Sequence, residues 1–162
     1  MHEPARAAVD PYANYAAWKQ WQGTFAPTDR ESRYFIAEFR GIPLRGKRLL
    51  EIGFGNGSLL AWAKSQGADV AGLEINAEMR AAAEQHGFRT FEVPLRELAA
   101  RGARYDIVIA FDVLEHWDTN ELVDNFRAIH VLLVDGGIFL SRFPNGQSPF
   151  GRVFQHGDFS HL

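Results

Sequence analysis

Five residues, Glu51, Gly53, Gly55, Gly57 and Glu74, carry the spacing most suggestive of chemistry in this chain. They sit in the run "LLEIGFGNGSLLAWAKSQGADVAGLEIN", residues 49–76. Glycine accepts positive φ and lets a ligand approach the backbone closely. A helix starting near Ser58 would point its free N–H groups at the same ligand. A dinucleotide and an adenosine-containing cofactor both fit that much. The spacing, however, is G-x-G-x-G, with Ser58 where the dinucleotide pattern has its third glycine. A carboxylate at Glu51 would repel a pyrophosphate but suits a cationic amino group. Glu74 stands at the end of the next strand-like run, where an acid accepts hydrogen bonds from two ribose hydroxyls and argues against a 2′-phosphate.

A second group lies in "YDIVIAFDVLEHW", residues 105–117. His116 has the residue type best suited to general base chemistry near neutral pH. It could equally anchor a loop. Asp112, Glu115 and His116 are spaced i, i+3, i+4, which could surround one oxygen-liking divalent ion or leave Glu115 in solvent. A third group, His156, Asp158 and His161 in "QHGDFSH", reads as part of an acceptor pocket, as a polar loop, or as metal ligands. Ser148 lacks the G-x-S-x-G context of a nucleophile elbow.

These residues need elements to hold them. The 162 residues suit one domain, and an apolar share of 46% suffices for a core. Strand-like runs at 47–53, 69–75, 88–93, 105–113 and 136–143 alternate with helix-like runs at 58–67, 77–87, 95–102 and 119–133. The run 105–113 is apolar at consecutive positions, as a strand buried on both faces requires. The order predicts an α/β fold, a doubly wound, Rossmann-like parallel sheet with helices on both faces. Ligands bind such sheets at the carboxyl ends of the strands, where the glycine turn falls. Thr119 or Asn120 is the expected N-cap of the last helix.

Residues 1–45 read as an aromatic-rich helical lead-in, and 46–162 as the ligand-binding core. Tyr12, Tyr15, Trp18 and Trp21 form a drifting stripe, either packing surface or a lid. A helix over 28–40, capped by Thr28 or Asp29, would pack Phe35, Ile36 and Phe39 on the sheet. The charge of −3 and the pI near 6.1 argue against a nucleic-acid partner. No cysteine is present, which excludes disulfides and thiolate metal sites. No apolar run is long enough to span a bilayer, and the N-terminal run lacks a signal-peptide core. The expected location is therefore cytoplasmic.

The E-x-G-x-G-x-G run with its following acid, then "YDIVIAFDVLEHW" and "GGIFLSRFPN", resembles class I S-adenosylmethionine-dependent methyltransferases across residues 46–162. The likeness is greatest to small-molecule enzymes of the ubiquinone-biosynthesis type, and "RFPNGQSPFG…GDFSH" is similar to those near O-antigen sugar clusters. The resemblance implies S-adenosyl-L-methionine as cofactor and S-adenosyl-L-homocysteine as product. It implies that Gly53, Phe54, Gly55 and Gly57 wrap the methionine and ribose, and that Glu51 orders the amino end. Glu74 takes the ribose hydroxyls, Ile75 and Met79 pack at the adenine, and Glu92 or Val93 lies near its edge. Phe111 and Asp112 flank the methionine moiety, and His116 is the candidate base. His156, Asp158 and His161 would face a small-molecule acceptor, a hydroxyl oxygen such as that of a surface-polysaccharide sugar.

The family's sheet has seven strands, and only five are visible here. Strands six and seven are expected to be missing, leaving an apolar edge that a second copy in a homodimer could cover. Two other functions fit the glycine turn: a non-catalytic cofactor-binding regulatory domain, and a nicotinamide-dependent oxidoreductase, which Glu51 and Ser58 disfavour.

Overall fold

The computed structural model describes residues 23–145 and 147–148. Five strands are present among them: β1 (Arg48–Ile52), β2 (Asp69–Leu73), β3 (Arg89–Phe91), β4 (Tyr105–Phe111) and β5 (Leu133–Arg142). They form one sheet in the order β3-β2-β1-β4-β5, and every neighbouring pair is parallel. Between and before them run α1 (Asp29–Glu38), α2 (Ser58–Ser65), α3 (Ala77–Gln85), α4 (Leu95–Ala100) and α5 (Thr119–Leu132). The expected doubly wound α/β sheet is the observed one.

Period-two alternation along the central strands divides the core into two layers. Leu49, Ile107 and Ile109 pack with α1, α2 and α3. Leu50, Ile52, Val108 and Ala110 pack with α4 and α5 on the other face. Burial of each such leucine or isoleucine contributes about 2 kcal/mol, so β1 and β4 anchor the sheet at its centre.

Thr28 caps α1 through a capping box with Glu31, as its position predicts. Phe35 and Phe39 are buried, with ring centroids 5.4 and 5.2 Å from Trp62 of α2. They join the same buried cluster as Leu49, Ile107 and Ile109 of the sheet. Ile36 does not pack as expected; it is 62% exposed, because one residue past Phe35 the helix turns its side chain about 100° away from the buried face.

Two further expectations need correction. The N-cap of α5 is Asp118, not Thr119 or Asn120. Its carboxylate accepts from the N–H groups of Asn120 and Glu121 at 2.7 and 2.9 Å, and its own N–H donates to the Glu121 carboxylate at 3.3 Å. The fifth strand begins at Leu133 rather than Gly136. Tyr105 pairs with Leu133 and Ile107 with Ile138, so β5 carries an irregularity that absorbs extra residues. Gly136 lies within it at φ 73°, a conformation that favours glycine.

Candidate functional site

A cleft of about 990 Å³ opens at the carboxyl ends of β1, β2, β4 and β5. The glycine loop after β1 forms its floor. Gly53, Gly55 and Gly57 have φ of 67°, 50° and 71°, so the alternate glycines supply the left-handed backbone that other residues adopt at a cost. A Cβ on Gly53 would stand 2.6 Å from Cγ2 of Val113 in the loop after β4. On Gly57 it would collide with the ring of Phe25, whose N–H donates to the Asn56 carbonyl at 2.8 Å. The loop is thus clamped from both sides. Phe25 was not legible as a site element, since nothing local marks a residue that packs 32 positions away.

Two carboxylates flank this loop. Glu74 is buried at the end of β2 and takes one backbone N–H on each oxygen: Gly55 to Oε2 and Asn76 to Oε1, both at 3.0 Å. It ties the glycine loop to the start of α3, and each oxygen keeps a lone pair for a further donor. Glu51 is 5% exposed, and its Oε2 has no hydrogen-bond partner. Burial pushes its carboxyl well above the ordinary 4.5, and the Glu74 charge adds to this. The Leu60 N–H and the Arg142 guanidinium oppose it. A buried orphan acceptor on a cleft wall is what the ammonium of a ligand would satisfy.

Ile75 and Met79 line the same side. Ile75 is 61% exposed and offers an apolar face to an incoming ring, while Met79 is buried beneath it. Arg80 was not anticipated here. Its guanidinium donates to the carbonyls of Glu74 and Ile75 and to Glu92. Glu92 and Val93, expected near the adenine edge, are not among the cleft-lining residues. Glu92 projects into solvent against Arg80, and Val93 packs under the sheet with the α4 and α5 layer. The cause is the short β3, which ends at Phe91 and leaves both residues beyond it.

On the opposite wall are Phe111, Asp112 and His116. His116 closes a single 3-10 turn, Leu114–His116, just past β4. Asp112 is a non-glycine residue at φ 55°. Its carboxylate is held by Arg142 of β5 at 3.3 and 2.6 Å, and that guanidinium lies 4.7 Å from the Phe111 ring centroid. Among the described residues no group of three or more His, Asp or Glu side chains converges in the way a metal site requires. Tyr34, Glu38, Trp117 and Glu121 complete this side. They come from α1, the loop after the 3-10 turn and the start of α5, whose approach to the cleft is a tertiary property.

His156, Asp158, His161 and the aromatic stripe Tyr12, Tyr15, Trp18 and Trp21 lie outside the described residues. Among the described residues no helix is long and apolar enough to cross a membrane.

A family model described as a methyltransferase domain matches residues 25–161. The chain belongs to this methyltransferase family. The methyltransferase chain is 32% identical over 158 residues to a ubiquinone biosynthesis O-methyltransferase of Bordetella avium, covering 90% of this chain and 64% of that protein. Its fold matches a SAM-dependent methyltransferase from Archaeoglobus fulgidus with a TM-score of 0.72 at 22% identity, covering 94% of this chain and 66% of the other. It also matches the sugar N-methyltransferase KedS8 from a Streptoalloteichus species, with a TM-score of 0.61 at 23% identity, over 91% and 60% of the two chains. The methyltransferase chain therefore spans just under two-thirds of the length of these first two proteins. Its class I methyltransferase fold is the one that the glycine motif and strand order implied.

Proposed function

We propose that the cleft binds S-adenosyl-L-methionine and that the protein transfers its methyl group to a hydroxyl oxygen of a small-molecule acceptor. The observation that carries this reading is the pair of buried carboxylates, Glu51 and Glu74, on either side of a loop whose three glycines all have positive φ. One carboxylate keeps an unsatisfied oxygen suited to an ammonium, and the other keeps lone pairs suited to ribose hydroxyls. Neither is suited to a pyrophosphate, which disfavours a nicotinamide dinucleotide.

The bound cofactor supplies an activated methyl group on a sulfonium sulfur. The protein's own residues do the rest. Glu51 receives the ammonium, and Glu74 receives the ribose hydroxyls while its backbone bonds hold it still. Ile75 and Met79 cover the adenine. Phe111 and the pinned Asp112 shape the wall beside the methionine portion. His116 faces the cleft past β4, where an imidazole nitrogen can take the acceptor's hydroxyl proton. Tyr34 and Trp117 supply apolar walls that exclude water from the acceptor side.

The hydroxyl acceptor is supported by the likeness to the Bordetella avium O-methyltransferase. A sugar of a surface polysaccharide is the acceptor suggested by "RFPNGQSPFG…GDFSH", with His156, Asp158 and His161 as its contacts. Calorimetric titration with S-adenosylhomocysteine, with NAD as control, tests the cofactor assignment. S-adenosylhomocysteine binds, NAD does not, and Glu74→Ala or Glu74→Gln abolishes or weakens the binding. Binding of NAD in preference would overturn the reading.

A further inference from the structure

Arg80 is a long cationic side chain drawn inward beside the adenosine side of the cleft. It leaves the first turn of α3 with only 11% of its side chain exposed. Its Nη1 donates to the Glu74 carbonyl at 2.9 Å and to the Ile75 carbonyl at 2.7 Å, while Nη2 meets Oε1 of Glu92 at 2.6 Å. These acceptors belong to the loop after β2 and to the residue just past β3. Both carbonyls fall where a strand has ended and the next helix has not begun, so no ladder or helix partner is due to them.

The same loop positions the side chains on which ligand binding depends. The Glu74 carboxylate takes the N–H groups of Gly55 and Asn76. The Ile75 side chain stands exposed at the cleft, so its backbone must be held from elsewhere. The Asn76 side chain caps α3 through the N–H groups of Glu78 and Met79. That cap fixes the helix, but it does not fix the two preceding carbonyls. Arg80 does so, and Glu92 orients Arg80 from the far side.

We propose that Arg80 is a positioning residue for the adenosine wall: it locks the Glu74–Ile75 backbone so that the Glu74 carboxylate and the Ile75 side chain meet the ligand without reorganisation. This rests on the cofactor reading above. A planar guanidinium with several fixed donors can serve three acceptors at once, whereas an ammonium on a flexible stem cannot hold them in one plane. Lysine is therefore a poor substitute, and Glu92→Gln should weaken the lock without removing it.

The test combines amide hydrogen exchange of the free protein with ligand binding, for wild type, Arg80→Lys, Arg80→Ala and Glu92→Gln. In Arg80→Ala, exchange should quicken at Gly55, Asn76 and Glu78, with β1 and β4 unchanged. The dissociation constants of S-adenosylhomocysteine and 5′-methylthioadenosine should rise together by about tenfold or more, the scale of one charge-assisted hydrogen bond. Arg80→Lys should fall between, and Glu92→Gln should show a smaller change of the same kind. Unchanged exchange at Gly55 and Asn76 in Arg80→Ala overturns this inference alone, as does quickening spread over the whole sheet. A wild-type protein that binds neither ligand overturns the cofactor reading and, with it, the adenosine role.

Discussion

Arg142, the last residue of β5, holds Asp112, the first residue past β4, by a two-point contact of 3.3 and 2.6 Å while its backbone carbonyl accepts the Asp112 N–H at 2.8 Å. Asp112 is in the left-handed region at φ 55°. A non-glycine residue there carries strain of about 1–3 kcal/mol, which surrounding contacts must hold in place. The contact from β5 therefore sets the direction of the loop that carries Val113 and His116 along the cleft.

Replacement of Arg142 by alanine should affect binding more than folding. Both side chains are substantially exposed, at 42% and 54%, so the pair adds at most about 1 kcal/mol to stability. The denaturation midpoint should shift little, while S-adenosylhomocysteine binds several-fold more weakly as Asp112 relaxes. Asp112→Gly should keep the turn without strain and leave the fold intact. Urea unfolding alongside calorimetry checks both. An unchanged affinity in Arg142→Ala would show that the pair does not shape the cleft.

Glu51 should make the empty protein less stable as pH rises. Its folded carboxyl titrates well above the ordinary 4.5, chiefly through burial. Between 4.5 and that raised value the folded state holds a proton that the unfolded state has released. Stability contributed by the neutral acid is thus full below 4.5 and falls as pH climbs through the folded value. Glu51→Gln should flatten this dependence and melt higher than wild type at neutral pH, with no difference at the acid end. Melting curves across pH read this directly. The same variant should lose affinity for a ligand bearing an ammonium.

Gly53→Ala should destabilise the protein through two separable effects. One is the left-handed φ of 67°, worth about 1–2 kcal/mol. The other is the 2.6 Å approach of the new Cβ to Val113. Adding Val113→Ala should recover the second effect and leave the first. Equal destabilisation in the single and double variants, measured by denaturant unfolding, would show that the contact with Val113 carries no cost.

His116→Ala should separate chemistry from binding. Removal of a general base typically costs about 10²–10⁴-fold in rate. S-adenosylhomocysteine affinity should stay within a few-fold of wild type, while methyl transfer to a hydroxyl acceptor falls by that factor. A variant with near-normal turnover would remove His116 from the proton-transfer role.

The local pattern alone was enough to determine the fold class, and it named the residues proposed for the cofactor half of the site. The apolar run at 47–53 reads as a buried strand, and that at 105–113 as a strand buried on both faces. The alternate glycines and their flanking acids, Glu51 and Glu74, are close in sequence, so their chemistry is visible without knowing how the chain folds. The likeness to the methyltransferase family added Ile75 and Met79, and both line the cleft.

What depended on tertiary structure is the set of contacts between distant segments. Arg80 is an unremarked surface-type residue in the chain and becomes a buried clamp only because β3 ends near α3. Arg142 reads as the tail of an apolar strand and reaches Asp112 only because β5 lies beside β4. Phe25 closes the glycine loop because α1 and the chain before it fold back over α2. Glu92 meets Arg80 for a similar reason: β3 stops at Phe91, and a strand's end is set by its partner, here β2, rather than by its own residues.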